Sequence, residues 1–274
     1  MDHVFVTLYV IACALAANLS AAQADRVPLS RIAVDKTNGT VTVLVEDPVY
    51  QKKKQYEGYP LKAVMEKYFD TSARQEPGEE VVFHTRDGYN PSMPVSDAMS
   101  GRGVIAIRDL EAQGDAKWIP FVSNGKSATP GDFYLVWTGE ANSAQHFPWP
   151  YQIESIELVR ASVFRNAEPT SASASAKKGY DSFRHTCMKC HSINFVGGTL
   201  GGELNVPLNV TEYWKPKELI AFISNPQSVR ATSKMPKLGI SSEDALTVSQ
   251  YLEAMAKQKV CHNEAECSTR RPTP

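Results

Sequence analysis

The chain has 274 residues, 42% hydrophobic and 22% charged. Those proportions exclude collagen-like, coiled-coil and wholly disordered chains and allow one large domain or two ordinary ones. A formal charge of −1 excludes binding to nucleic acid or anionic membranes driven by bulk charge.

Residues 4–19 form an apolar run of 16, broken by Thr7 and Asn18, short for a membrane span of about 20. Small residues follow, ending in Ala22-Gln23-Ala24, a cleavage pattern that makes 1–24 a signal peptide and Asp25 the mature start. The segment before the run, Met1-Asp2-His3, lacks the usual Lys or Arg, and Val10-Ile11-Ala12-Cys13 allows a lipoprotein reading. The expectation is an exported, periplasmic protein, tied to a membrane only if the segment stays uncleaved. No other segment is long and apolar enough to span.

Residues 25–165 read as short strands and turns with one or two helices, an α+β domain. Val41-Thr42-Val43-Leu44-Val45 alternates as a strand after the Asn38-Gly39 turn signal. Residues 58–69 place Leu61, Val64, Met65 and Phe69 on one helix face. Strands are expected at Val81–His84, before an Asp87-Gly88-Tyr89 turn, at Phe133–Trp137 and at Ile153–Val159. His84 and His146 are the only imidazoles of this region and are read as hydrogen-bonded structural residues.

In order, Gly58-Tyr59-Pro60-Leu61, Val81 to Tyr89, Gly131 to Val136 and Ile156 to Val159 resemble the molybdopterin-binding domain of the sulfite oxidase family in a shortened form. That family holds molybdenum through a Cys thiolate, whereas residues 25–186 contain no cysteine. The resemblance therefore implies a sulfite oxidase-like fold that has lost its metal, and molybdopterin is not expected.

Residues 166–178, a Ser/Ala-rich stretch around AEPTSASASAKK, bury too little to order themselves and read as a linker. The charge balance changes sign there: residues 25–175 hold 16 basic and 20 acidic residues, residues 176–260 hold 11 and 7.

Four of the five cysteines lie in the last third. Cys187-Met188-Lys189-Cys190-His191 is a C-x-x-C-H run, the attachment signature of c-type haem. The thiols would add across the two vinyl groups as thioethers, and His191 would supply the proximal imidazole. A redox-active pair, half of a zinc site and a structural disulfide compete with this reading; export favours haem. With Gly179 and Phe183 before the run, and Ala245, Val248, Tyr251, Leu252 and Met255 at helical spacing after it, residues 179–260 resemble a single-haem class I cytochrome c domain, an all-α fold.

That resemblance implies that Gly179 lets two helices cross near Tyr251, that Trp214, Leu219 and Phe222 wall the haem, that Pro226 ends a helix, and that Met235 of Lys234-Met235-Pro236 is the second axial ligand. His185, His262, Met255 or an open position remain as alternatives to Met235. The family's usual Gly-Pro-x-Leu is replaced by Asn205-Val206-Pro207-Leu208, which puts the carbonyl contact to His191 in doubt. Lys215, Lys217, Lys234 and Lys237 form either a solvated charged face or a rim for an acidic redox partner. Cys261 and Cys267, in the tail 261–274, are expected to form a disulfide, the default in an exported protein.

Together these readings describe an exported electron carrier with one covalent haem c, and an N-terminal domain that docks it to a redox partner protein or respiratory complex. A molybdenum-type oxidoreductase with the haem as electron exit is the alternative. A haem sensor or peroxidase would need a vacant sixth position.

Overall fold

Alternating apolar and polar residues build the first hairpin. β2 (Val41–Asp47) pairs antiparallel with β3 (Lys52–Pro60), turning Val45 and Asp47 inward on one strand and Lys54 and Tyr56 on the other. In this computed structural model the described residues are 25–35, 37–69, 78–123, 125–139 and 147–261. The expected signal peptide, Cys13, His146, His262 and Cys267 lie outside them.

β3 continues onto β6 (Gly103–Asp109), and β6 onto β9 (Tyr134–Trp137), giving a four-stranded antiparallel sheet ordered β2-β3-β6-β9 that curls into half a barrel. A second sheet is ordered β1-β10-β4-β5, from Asp25–Pro28, Ile153–Val159, Glu80–Thr85 and Ser92–Pro94. The short hairpin β7 (Phe121–Ser123) and β8 (Lys126–Ala128) completes this part. The helix expected over 58–69 is shorter: residues 58–60 stay in β3, and Pro60 caps α2 (Leu61–Tyr68), as suits a residue with no N–H for a helix interior.

Two apolar clusters hold the chain. The first gathers Leu29 and Ile32 of α1 (Leu29–Val34), Met65 of α2, and Phe83, Tyr134 and Trp137 from the sheets. Each fully buried side chain of this size contributes roughly 1.5–3 kcal/mol. The second begins at Val159 and collects Phe183, Leu219, Val248, Tyr251 and Met255. Its frame is α4 (Ala174–Ser182) crossing α7 (Ser242–Met255), with α5 (Pro216–Ser224) against α7.

The expected fold class, an α+β sulfite oxidase-like domain followed by an all-α cytochrome c domain, is overturned. The chain is mixed α/β, with thirteen strands in four sheets among the described residues, and no all-α domain is evident. Residues 179–260 carry a three-stranded sheet: β11 (His191–Ile193), antiparallel to β12 (Val196–Gly197) and parallel to β13 (Gly202–Glu203). A turn with Asn194 and Phe195 at positive φ makes this ladder possible. Its strain is held by Glu203, whose carboxylate accepts the N–H groups of both residues at 2.9 Å.

The Ser/Ala linker is also shorter than expected, because Ser173 caps α4 by accepting the Ala176 N–H at 3.1 Å. The helix thus starts inside the stretch. Neither Ala167 nor Ala176 is solvent-exposed.

Candidate functional site

Helix α4 does not stop at Ser182. It widens into one π turn over Phe183–Cys187, closed by the Met188 N–H donating to the Phe183 carbonyl at 2.9 Å. Such a turn is rare and frequent at functional sites. Cys190 then donates its N–H to the Cys187 carbonyl at 3.0 Å, so both thiols hang from a single tight turn with His191 next in line on β11.

The imidazole of His191 is held from two sides. Its Nδ1 lies 3.2 Å from the Gly202 carbonyl oxygen. Gly201 stands against the ring, where a Cβ would come within 2.5 Å of Nε2 and 2.7 Å of Nδ1. Gly201 itself is fixed by its N–H, which donates to the Cys190 carbonyl at 2.7 Å. Burial holds the imidazole below its ordinary pKa, favouring the neutral ring a metal needs. With Nδ1 facing a carbonyl, Nε2 is the nitrogen left for a ligand. The carbonyl contact put in doubt by the Asn205–Leu208 replacement is therefore made by Gly202.

Both thiols are pushed above the ordinary cysteine range. Burial, and after it the neighbouring Cys190, pushes Cys187 up to about 12. Burial, then the charge of Asp87, pushes Cys190 up to about 11. A redox-active pair requires the opposite shift. Among the described residues no group of three His, Cys, Asp or Glu could hold a metal ion.

The N-terminal sheets reach the site through the turn after β4. Asp87 Oδ1 accepts the Thr85 hydroxyl at 2.7 Å and the Tyr89 N–H at 3.1 Å, which folds the turn. Asn90 then donates its N–H to the Lys189 carbonyl at 2.8 Å, and the Gly88 carbonyl accepts from Thr199 at 2.9 Å and Leu200 at 3.2 Å. Arg184 spans the same junction: it pairs with Glu80, donates to Ser92 Oγ at 3.0 Å, and lies 3.6 Å over the Phe164 ring. Between them runs a cleft of about 260 Å³ lined by His84, Asn90, Glu157, Arg184 and Met188 among others. His84 Nε2 meets Glu157 Oε2 at 2.6 Å.

Cys187, Cys190 and His191 thus come together. Met235 is half-buried in the loop after α6 (Pro226–Val229), with its carbonyl accepting from Gln227 at 2.7 Å and its N–H donating to Ser233 Oγ at 3.3 Å. Its backbone bonds run to that loop and not to the Cys187–His191 segment. Trp214 and Phe222 pack with centroids 5.0 Å apart and ring planes tilted by 43°, beside buried Leu219, and Arg230 lies 4.5 Å over Trp214. Pro226 follows the end of α5 and opens α6. Lys215, Lys217, Lys234 and Lys237 are all exposed. Cys261 is disulfide-bonded; Cys267 lies outside the described residues.

Sequence reasoning read Gly88 only as part of a turn and passed over Asn90, Arg184, Gly201 and Gly202. The one signal was the glycine cluster Gly197-Gly198-Thr199-Leu200-Gly201-Gly202 directly after the cysteine motif. A second polar centre, in the first cluster, was also missed: the buried carboxylate of Asp47 accepts the hydroxyls of Tyr56 at 2.7 Å and Tyr134 at 3.0 Å.

The residues present fit a covalently attached haem. Two thiols lie on one turn, the following imidazole has its Nδ1 tethered to the Gly202 carbonyl, and the ring packs against Gly201, where a side chain would clash with it. They do not fit molybdopterin, for want of a thiolate in residues 25–186. No family model matches the chain, and no curated protein is significantly similar to it.

Proposed function

We propose that the protein is an exported c-type electron carrier with one haem held covalently by Cys187 and Cys190, with His191 as proximal ligand. The observation that carries this reading is the convergence of both thiols with an imidazole whose Nδ1 faces the Gly202 carbonyl. When bound, haem supplies a one-electron iron couple. The residues around it would hold and orient: Cys187 and Cys190 would fix the porphyrin, the Gly202 carbonyl would keep the imidazole from rotating, and Gly201 would back the ring without a side chain to displace it. Met235 is proposed as the second axial ligand. With both positions filled, electron exchange would need little movement and no bound substrate. The exposed lysines 215, 217, 234 and 237 would then face an acidic redox partner, and the N-terminal sheets would hold the carrier in its complex.

The test is a count of metals and attached mass per chain, on protein made in an exporting host with haem-attachment machinery. One iron, no molybdenum, and haem that stays on the denatured wild-type chain but not on Cys187→Ala/Cys190→Ala are expected. A chain without covalent haem, or one with stoichiometric molybdenum, overturns the reading.

A further inference from the structure

The junction between the N-terminal sheet and the cysteine loop does more than join two parts. The turn after β4 grips that loop at two points either side of Cys190 and His191. Upstream, Asn90 donates to the Lys189 carbonyl at 2.8 Å; downstream, the Gly88 carbonyl takes both the Thr199 and Leu200 N–H groups. The next two residues are Gly201, against the imidazole, and Gly202, whose carbonyl meets Nδ1. The chain therefore runs from the Gly88 carbonyl to the His191 ring through three consecutive peptide units, with Gly202 tied back by its N–H to the Thr199 carbonyl at 3.2 Å. Gly88 has no room to change: its φ is +86°, and a Cβ there would overlap Thr199 Oγ1 and come within 3.0 Å of the Leu200 nitrogen.

We propose that Gly88 is a positioning residue for His191, setting through Thr199 and Leu200 the hydrogen bond between the imidazole and the Gly202 carbonyl. The inference rests on the haem reading above. A neighbouring carbonyl that accepts the imidazole N–H makes the ring a more basic ligand, and ligand basicity favours the ferric state. Displacing residues 199–202 so that the Gly202 carbonyl loses its 3.2 Å contact with Nδ1 should therefore raise the midpoint potential. The net worth of one hydrogen bond bounds the effect at about a tenfold change in the ferrous-to-ferric ratio, about 59 mV for a one-electron couple.

The experiment measures the midpoint potential of purified holoprotein by redox titration, with the His191 imidazole followed by NMR, in four chains. Gly88→Ala should raise the potential and move the His191 resonances. Adding Thr199→Ala removes the atom that the new methyl strikes and should restore part of the shift. Gly101→Ala is the control: Gly101 has φ +80° and nothing within 4 Å of the place a methyl would take, so it suffers the same backbone strain without touching the loop and should leave the potential unmoved. A wild-type chain without covalent haem overturns the functional reading and this inference together. Haem in place with an unmoved potential in Gly88→Ala, or an equal shift in Gly101→Ala, overturns this inference alone. Should Gly88→Ala not fold, hydrogen exchange on the wild type decides: slow exchange of the Thr199 and Leu200 amides supports the clamp, and fast exchange overturns it.

Discussion

Lys54 is fully buried, with Nζ 2.6 Å from Asp109 Oδ2, itself fully buried, and 2.8 Å from Glu111 Oε2; the Tyr50 ring lies 5.1 Å below it. Removing one partner of a buried pair costs roughly 3–5 kcal/mol, because the other charge is left uncompensated. In Lys54→Met, Asp109 would keep two backbone donors, from Glu111 at 3.0 Å and Ile119 at 3.4 Å. That places the expected cost at the low end, about 3 kcal/mol. Asp109→Leu would leave Lys54 with Glu111 as its one carboxylate partner among the described residues and should cost at least as much. The double variant, Lys54→Met/Asp109→Leu, buries no charge and should cost less than either single one. Urea unfolding followed by tryptophan fluorescence reads this directly, since Trp118, Trp137 and Trp149 all lie in the first cluster. At a slope of about 1–3 kcal/mol per molar, the single variants should lower the midpoint by roughly 1–3 M. A cost below about 1 kcal/mol for Lys54→Met, or a double variant equal to the sum of the singles, would refute the reasoning.

Four further outcomes follow from the same geometry. The His84 hydrogen bond holds the Glu157 carboxyl below its ordinary 4.5; the folded state then binds that proton more weakly than the unfolded chain, so Glu157 adds stability above pH 4.5 that is lost as pH falls through the depressed value. Acid titration of Glu157→Gln should show a shallower loss below pH 4.5 than wild type, and equal slopes would contradict the pairing. In protein made without haem, Cys190, raised from 9.0 to about 11, should alkylate at pH 8 roughly a hundredfold more slowly than a free thiol, as read by mass spectrometry. Tyr251→Phe removes a buried donor to the Ala167 carbonyl at 2.7 Å and should destabilise the second cluster by about 1–3 kcal/mol, measured by denaturant. Met235→Ala should lower the potential and let the reduced holoprotein bind carbon monoxide; an unchanged spectrum would mean that another residue is the ligand.

Where local pattern decides structure, the residues were legible. Val81–His84 and Ile153–Val159 form strands because they are rich in β-branched and aromatic residues. The Cys187–His191 grouping needed only its spacing. The sheet β11–β13 was hidden because its strands are two or three residues long and depend on Glu203 holding a strained turn, which no periodicity announces. The all-α expectation failed at that point. The Lys54 and Asp47 centres were equally hidden: their partners stand on other strands, and single charged residues in β-rich sequence look like surface. Gly88 and Gly201 could be seen as glycines, but not as the one that holds the Thr199–Leu200 segment and the one that lies against the His191 ring.

The first strand has a consequence for the order in which the molecule can be assembled. β1 pairs with β10, and Arg26 reaches Ser155 across a separation of 129 residues. The sheet that carries β4, and hence the turn at Gly88, cannot close until that distant strand is available, and such long-range pairing is slow to form. The cysteine loop comes later still in the chain, and the finished turn lies over Lys189 and Thr199. If haem is attached to Cys187 and Cys190 as proposed, the attachment would fall in the interval before docking, while the loop is still open. A substitution that speeds closure of the first sheet would then shorten that interval and lower the yield of haem-bearing protein.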